Sequence, residues 1–259
     1  MATALTAVCQ TKAEPVQQSA FVSVAASREF SVAVPLKRLS PELALATYER
    51  VADEQSTELA GYTATSVIDA ELPDSEQKAE FEMTRHYSAP SVLEFAPLRF
   101  TGDTFVKTNV IVRLLESEVE HVRRQEQSQT AITSINYKFG YKGTSQINGM
   151  PVHIYEVKPH QKRPGLFKGR IYVNASTGQL VRAQGSIVKS PSFFIKKIDF
   201  VQDYATFDGF TFPTHMHSEA QTRIVGKAIV DITHRNYEPR FASDTASRSQ
   251  AGILTDGTN

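Results

Sequence analysis

The sequence predicts a mainly β protein of the α+β class: a curved antiparallel sheet, or unclosed β-barrel, with helices covering its concave face. Three observations predict this fold. Most of the chain after residue 61 alternates apolar and polar residues with a period of two, as half-buried strands do. Short turn sequences link these runs, so neighbouring strands are expected to be antiparallel. Two helical segments interrupt the strands without a regular βαβ alternation, and a doubly wound nucleotide-binding fold is therefore disfavoured.

The first helix is expected to begin at Ser40-Pro41. Ser40 is a suitable N-cap, and Pro41 suits the first helical position because its missing N–H would be unsatisfied there anyway. The helix is expected to continue to about Leu59, and Gly61 is expected to end it in the left-handed conformation. Its interrupted apolar stripe indicates that one face lies against the sheet.

The second helical segment lies between Asp103 and Gln129. Here the apolar period returns to that of a helix, and Glu120 and Arg124 form an i,i+4 pair of favourable polarity. We expect this helix to be a lid over the sheet. The predicted lid residues share one helical face: Ile111, Leu115, Val119 and Val122.

About ten strands are expected in the sheet. They are predicted at residues 62–72, 78–87, 92–100, 135–142, 151–158, 168–174, 180–188, 193–204, 212–222 and 225–237. The connections at 143–150, 175–178 and 207–209 carry residues that favour turns. Alternation at 30–34 is compatible with one further strand.

The 259 residues are enough for one large β domain, which we place at residues 40–240. Residues 1–39 are an N-terminal segment that is either a remnant of a secretion signal, since 2–8 are small and apolar, or a plain unstructured terminus. Lipidation of Cys9 is the weaker hypothesis, because Val8 stands where a small residue is expected. Residues 241–259 are polar and small, and a disordered tail is predicted.

Composition and motifs exclude several function classes. Lys+Arg and Asp+Glu both number 28, so there is no basic excess with which to bind nucleic acid. Cys9 is the single cysteine, which excludes an intrachain disulfide. His215 and His217 share a strand face and could be two metal ligands, but no motif supplies a third. Because no nucleophile or proton carrier stands out either, we expect no enzyme, no catalytic residue, no metal and no cofactor.

The apolar strand faces have two interpretations. Residues 135–142 alternate bulky apolar and polar or small side chains without exception, so one side of this strand is dry. Periodicity alone favours a filled core over a lined cavity, because any half-buried strand shows this pattern. Basic residues at 160–163 and 196–197 could contact anionic lipid headgroups at a membrane surface, but such residues are more often solvated turns and strand edges.

Four segments carry a resemblance to a known family: 155–159 (YEVKP), 166–173 (LFKGRIYV), 190–197 (SPSFFIKK) and 209–213 (GFTFP). Across about residues 134–239 the chain resembles the LolA-like superfamily of outer-membrane lipoprotein-sorting and lipoprotein-carrier proteins, in particular uncharacterised acidobacterial-type envelope proteins. The resemblance implies an unclosed barrel in which helices form a lid over an apolar cavity. It also implies a periplasmic or cell-envelope location.

On this basis we expect a carrier that shields the acyl chains of a lipid or lipoprotein. The expected cavity wall consists of Tyr137, Phe139, Tyr141, Phe200 and Ile232. No position is assigned to the arginine with which carriers contact their lid. The alternative is a sensor or interaction module of the same fold, with a filled core and an envelope protein as partner. The sequence gives no indication of oligomeric state.

Overall fold

The computed structural model describes residues 38–190, 195–223 and 225–243. The expected secretion signal, the Cys9 hypothesis and the candidate strand at 30–34 lie outside the described residues, as does the predicted tail from 244 onward.

The first helix, α1 (Pro41–Glu58), begins as predicted. The Ser40 hydroxyl accepts a hydrogen bond from the Leu43 amide at 3.2 Å, and Pro41 occupies the first turn. The predicted role of Gly61 is wrong. The helix passes directly into the first strand, and Gly61 lies within that strand, where a Cβ would collide with the carbonyl oxygen of Tyr87. Close approach of two backbones, and not a helix end, requires glycine there.

The second helical segment is continuous from residue 104 to 123 and is followed by one short turn of helix. Asp103 caps it, because its carboxylate accepts hydrogen bonds from the amides of Phe105 and Val106 at 2.7 and 3.3 Å. Its parts are α2 (Thr104–Val106), a π-helical stretch (Lys107–Val112) and α3 (Arg113–Arg123); the short turn is α4 (Gln127–Thr130). We refer to residues 104–123 as the lid helix.

In the described part of the chain, ten strands form one antiparallel sheet. A short 3-10 turn (Pro73–Ser75) separates the first two strands. The strands are β1 (Leu59–Leu72), β2 (Gln77–Ser88), β3 (Val92–Gly102), β4 (Tyr137–Ile147), β5 (Met150–Pro159), β6 (Phe167–Asn174), β7 (Leu180–Ile187), β8 (Ile195–Phe207), β9 (Phe210–Thr222) and β10 (Lys227–Phe241).

The strand order is β3-β2-β1-β10-β9-β8-β7-β6-β5-β4, so β3 and β4 are the two outer strands and the sheet is not closed. Pairing of β1 with β10 joins the two parts of the sheet. Residues between β3 and β4 must therefore pass from one edge of the sheet to the other. These residues include the lid helix and α4, so both lie on the path that the chain takes from one edge of the sheet to the other.

Both helical layers cover the same face. Directly opposed residues in an antiparallel pair point to one side, so a row can be followed across the whole sheet. One such row is Phe100, Phe81, Ile68, Ile232, Met216, Gln202, Ala183, Ile171, Tyr155 and Tyr141. Ile68 packs with the lid helix and Ile171 packs with α1. The predicted fold class, an unclosed antiparallel sheet with helices on one face, is thus confirmed.

Three hydrophobic clusters fill this face. In the first, Ala44 and Tyr48 of α1 pack on strands β4 to β7. In the second, Val106, Ile111 and Leu115 of the lid helix pack on β1, β2 and β10. The third is largely aromatic and is drawn from β1, β9 and β10. α1 and the lid helix, which we call the two roof elements, therefore each pack on a separate hydrophobic cluster.

One predicted connection differs from the structure. Strand β4 continues through Gly143 to Ile147, and the hairpin to β5 turns at Asn148-Gly149, where φ is +49° and +79°. Two consecutive left-handed residues are typical of a type I′ turn, for which Asn-Gly is a preferred sequence. The loop predicted at 143–150 is thus a tight hairpin, and it lengthens the outer strand β4.

Candidate functional site

A cavity of about 670 Å³ lies between α1 and the segment that follows the lid helix. Its walls come from α1, from residues 125–135, and from the sheet and its loops. Volumes of about 300–1,000 Å³ are usual for small-molecule sites. The lining residues are Tyr48, Val51, Ala52, Asp53, Gln55, Ser56, Leu59, Tyr87, Ala89, Pro90, Gln125, Gln127, Ser128, Ala131, Thr133, Ile135, Gln179, Leu180, Tyr204 and Thr211.

The cavity has a dry inner end and an exposed mouth. Tyr48 and Leu180 are buried, and both belong to the core cluster beneath α1. Ile135 also lines the cavity, yet it is 84% exposed. A large aliphatic side chain with that exposure keeps apolar surface in contact with water. The mouth therefore offers hydrophobic contact that nothing in the described chain uses.

Hydrogen bonds hold α1 in place as one wall. The Gln55 side chain donates to the Thr211 carbonyl at 2.9 Å and accepts from the Thr211 amide at 2.8 Å. The Glu49 carboxylate accepts from the Ser134 amide at 2.6 Å. These bonds fix the helix to β9 and to the segment before β4. The gap between them is thus a defined space.

The cavity lining is polar in places but almost uncharged. Among its residues in the described chain, only Asp53 carries a formal charge at neutral pH. Burial raises the pKa of Tyr48, with the neighbouring Tyr204 adding to the shift. Burial likewise raises the pKa of Tyr204. Both phenols are therefore neutral hydroxyl groups at physiological pH.

Four of the five predicted wall residues belong to two different clusters, and none of the five lines this cavity. Tyr137 is buried in the first cluster, and Phe139 and Phe200 pack against it. Tyr141 is 46% exposed and its ring lies near those of His153 and Tyr155. Ile232 lies in the second cluster. Contact of these residues with a ligand stays a prediction.

The predicted lid residues lie on the lid helix as expected, but at two depths. Ile111 and Leu115 are buried in the second cluster, against strands β1, β2 and β10. Val119 and Val122 are half-buried. The first pair thus packs as core, whereas the second pair retains surface that a ligand could cover.

Sequence reasoning missed a buried polar group under the lid helix. Arg85 of β2 is buried, and its guanidinium forms an ion pair with Glu118 of the lid helix at 3.0 Å. The guanidinium carbon also lies 5.2 Å from the centroid of the Phe95 ring. A lone Arg in an alternating strand gives no sequence signal of this kind, because its apolar stem suits either face. The contact links the sheet directly to the lid helix.

Beside Arg85, Ser66 and His234 form a side-chain pair with a separation of 2.7 Å. They face each other in register on β1 and β10. Burial, together with the charge of Arg85, lowers the pKa of His234 to about 3. Because Ser66 is fully buried, the pair has no route to a substrate and serves as a satisfied core contact.

The histidine pair predicted on one strand face has a carboxylate partner. His217 and His215 lie 2.8 and 3.5 Å from the same oxygen of Asp231 on the opposite face of the sheet from the helices. Within residues 38–190, 195–223 and 225–243, no group of three His, Cys, Asp or Glu side chains could hold a metal ion. Over the same residues, no helix is both long and apolar enough to cross a bilayer.

Comparison with known proteins gives distant similarities of fold. No family model matches the chain, and no curated protein matches it. Among solved structures, a DUF1329 family protein from Desulfovibrio piger is 13% identical, with 75% of this chain and 92% of that chain covered and a TM-score of 0.40. An outer membrane lipoprotein-sorting protein domain from Vibrio parahaemolyticus is 12% identical, with 77% and 94% covered and a TM-score of 0.38.

A LolA superfamily protein from Nitrosomonas europaea is 13% identical, with 78% of this chain and 96% of that chain covered and a TM-score of 0.37. These structures include the group that the four sequence segments resemble. At this level of identity and superposition, the similarity says nothing about the cargo or partner of this chain.

Proposed function

We propose that this protein binds the acyl chain of a lipid or lipoprotein in the cavity between α1 and residues 125–135, and acts as a carrier in the periplasm or cell envelope. The cavity is the observation that carries the proposal: it is open, of suitable size, and dry at its inner end. The envelope location rests on the resemblance of the sequence to lipoprotein-sorting proteins.

Hydrocarbon burial would supply most of the affinity. Each methylene moved from water into an apolar site contributes about 0.8 kcal/mol. A chain entering past Ile135 would cover its exposed side chain and then contact Leu180 and the ring of Tyr48. No covalent step is required, so the proposed activity is binding and transfer.

In this proposal the predicted residues support the cavity without lining it. Tyr137, Phe139 and Phe200 form the packed layer beneath α1 that keeps the inner end of the cavity rigid. Ile111 and Leu115 anchor the lid helix on the neighbouring part of the sheet. In this arrangement the core clusters position the two roof elements, and the ligand lies where the elements meet.

The test is transfer of a fluorescent long-chain acylglycerol from vesicles to the full chain. Ile135→Ser should weaken uptake about 10- to 150-fold, because burial of a large aliphatic side chain is worth about 1.5–3 kcal/mol. Ala131→Trp should weaken uptake because the indole ring would take up part of the cavity. Leu98→Ser and Ala96→Trp are the matched controls, since both positions are exposed on β3 and neither lines the cavity. Equal effects of cavity and control variants would contradict the proposal.

The second candidate function is an interaction module for another envelope protein. The observation that favours it is the outer strand β3, where Val92 and Leu98 are exposed and one edge has no partner strand among the described residues. Such an edge can add a strand from another chain. This alternative predicts no lipid uptake and no lipid in native mass spectra of the purified protein, with partner binding weakened by Leu98→Ser.

A further inference from the structure

The polar groups of the cavity are almost all uncharged donors and acceptors. Four glutamines contribute, together with hydroxyl groups from serine, threonine and tyrosine. The glutamines are Gln55, Gln125, Gln127 and Gln179. The Gln55 amide is already bonded to Thr211 and the Gln127 amide donates to the Pro90 carbonyl. The remaining amides and hydroxyls can hydrogen-bond to esters, amides and alcohols, but they do not neutralise an ion.

Asp53 is the one lining residue, within the described chain, that carries a formal charge, and it is exposed on α1. Two cationic side chains next to the lining residues already have anionic partners, and a third, Arg163, contacts Gln129 at 3.4 Å and does not line the cavity. Arg50 pairs with Glu54 at 2.6 Å, and Arg124 pairs with Glu120. An anion at the mouth would thus face the Asp53 carboxylate. The guanidinium groups of Arg50 and Arg124 are already paired with glutamates.

We infer that the cavity selects a lipid whose polar end is uncharged, such as an acyl ester, amide or alcohol, over an ionised fatty acid of the same chain length. The inference rests on the proposed function and adds its cargo class. Moving a carboxylate from water to the cavity loses hydration that no lining cation replaces, and repulsion from Asp53 adds to this cost.

The phenol groups reinforce the selection. Tyr48 and Tyr204 lie together at the inner end, and the raised pKa of each keeps its hydroxyl protonated. A protonated phenol donates a hydrogen bond to a carbonyl or hydroxyl oxygen without adding charge. The Tyr204 hydroxyl already donates to Gln202 at 3.3 Å, so Tyr48 is the phenol that can donate to an ester or amide carbonyl at this depth.

The experiment compares two probes of equal chain length, 1-monopalmitoylglycerol and palmitate, at pH 8. Each displaces a fluorescent acylglycerol from the full chain. The monoacylglycerol should bind about tenfold more tightly, which corresponds to about 1.4 kcal/mol. Asp53→Lys should tighten palmitate binding severalfold and leave monopalmitoylglycerol unchanged. Glu94→Lys is the charge-matched control, because Glu94 is exposed on β3 and does not line the cavity.

The outcomes separate the two proposals. Palmitate binding as tightly as monopalmitoylglycerol, or an equal response of both probes to Asp53→Lys, overturns the cargo inference and leaves lipid binding standing. Binding of neither probe, and no uptake of the fluorescent acylglycerol, overturns the proposed function and the cargo inference with it. Circular dichroism of the lysine variants confirms that any loss is not unfolding.

Discussion

Neutralising Glu118 should destabilise the protein more than removing its partner Arg85. The guanidinium of Arg85 is buried under the lid helix, with Glu118 at 3.0 Å and the Phe95 ring below it. Its Nε has no hydrogen-bond partner in the described chain. In Glu118→Gln the buried cation therefore loses its counter-charge while the lid helix stays in place above it.

The size of the effect follows from burial. Breaking a buried pair by removing one partner costs about 3–5 kcal/mol. The Glu118 side chain is 35% exposed, so water replaces part of the lost interaction and we expect about 2 kcal/mol for Glu118→Gln. For a domain of this size that is a decrease in Tm of about 4–8 °C. Arg85→Met should cost less, because it removes the charge and retains apolar volume, while Glu118 can turn to solvent.

Chemical and thermal unfolding of both single variants and the double variant form a double-mutant cycle that isolates the pair. Glu116→Gln, an exposed change on the same helix, is the control and should be close to neutral. The reasoning is refuted if Glu118→Gln is no more harmful than Glu116→Gln, or if Arg85→Met is the more damaging single change.

Two further predictions concern the sheet. Gly185→Ala should lower the free energy of unfolding by about 3 kcal/mol through overpacking, because the new Cβ would collide with a carbonyl oxygen of β6. Gly140→Ala is the control and should be neutral in the same unfolding assay, since no atom lies within 4 Å of its Cβ. Asp69→Asn should stabilise by about 0.5 kcal/mol at pH 7, since it lies directly opposite Glu80 and Asp231. Burial and these two carboxylates raise the pKa of Asp69, so the penalty applies above that pKa and fades as pH falls; a gain that persists at low pH would count against this account.

Much of the architecture could be predicted because its causes are local. The Ser40-Pro41 helix start and the Asp208-Gly209 turn depend on a few adjacent residues, and the structure has both. The Asn148-Gly149 hairpin was equally local, and the Asn-Gly pair was the signal that could have located it. Gly61 was misread because a glycine after a helix also suits a close backbone contact in a strand, and only the register with β2 separates the two.

The cavity could not be predicted from the hydrophobic periodicity of the sequence. Alternation identified the dry face of β4 at Tyr137 and Phe139, which pack in the first cluster, whereas Tyr141 of the same run is 46% exposed. Whether such a face is filled or open depends on how closely a helix lies above it, which involves residues far apart in the sequence. Ile135 belongs to the same alternating run, yet it precedes β4 and is exposed at the cavity mouth. Arg85 gave no signal because its partner is 33 residues away.

The position of the cavity follows from how the roof is held. α1 is fixed to β9 through Gln55, and the lid helix is fixed to β2 through Arg85 and to β1 and β10 through its own core. α1 and the lid helix are each packed on a separate part of one sheet, and residues 125–135 line the space beside α1. The exposed side chain of Ile135 lies on that segment, so the chain that follows the lid helix also presents the hydrophobic contact at the cavity mouth.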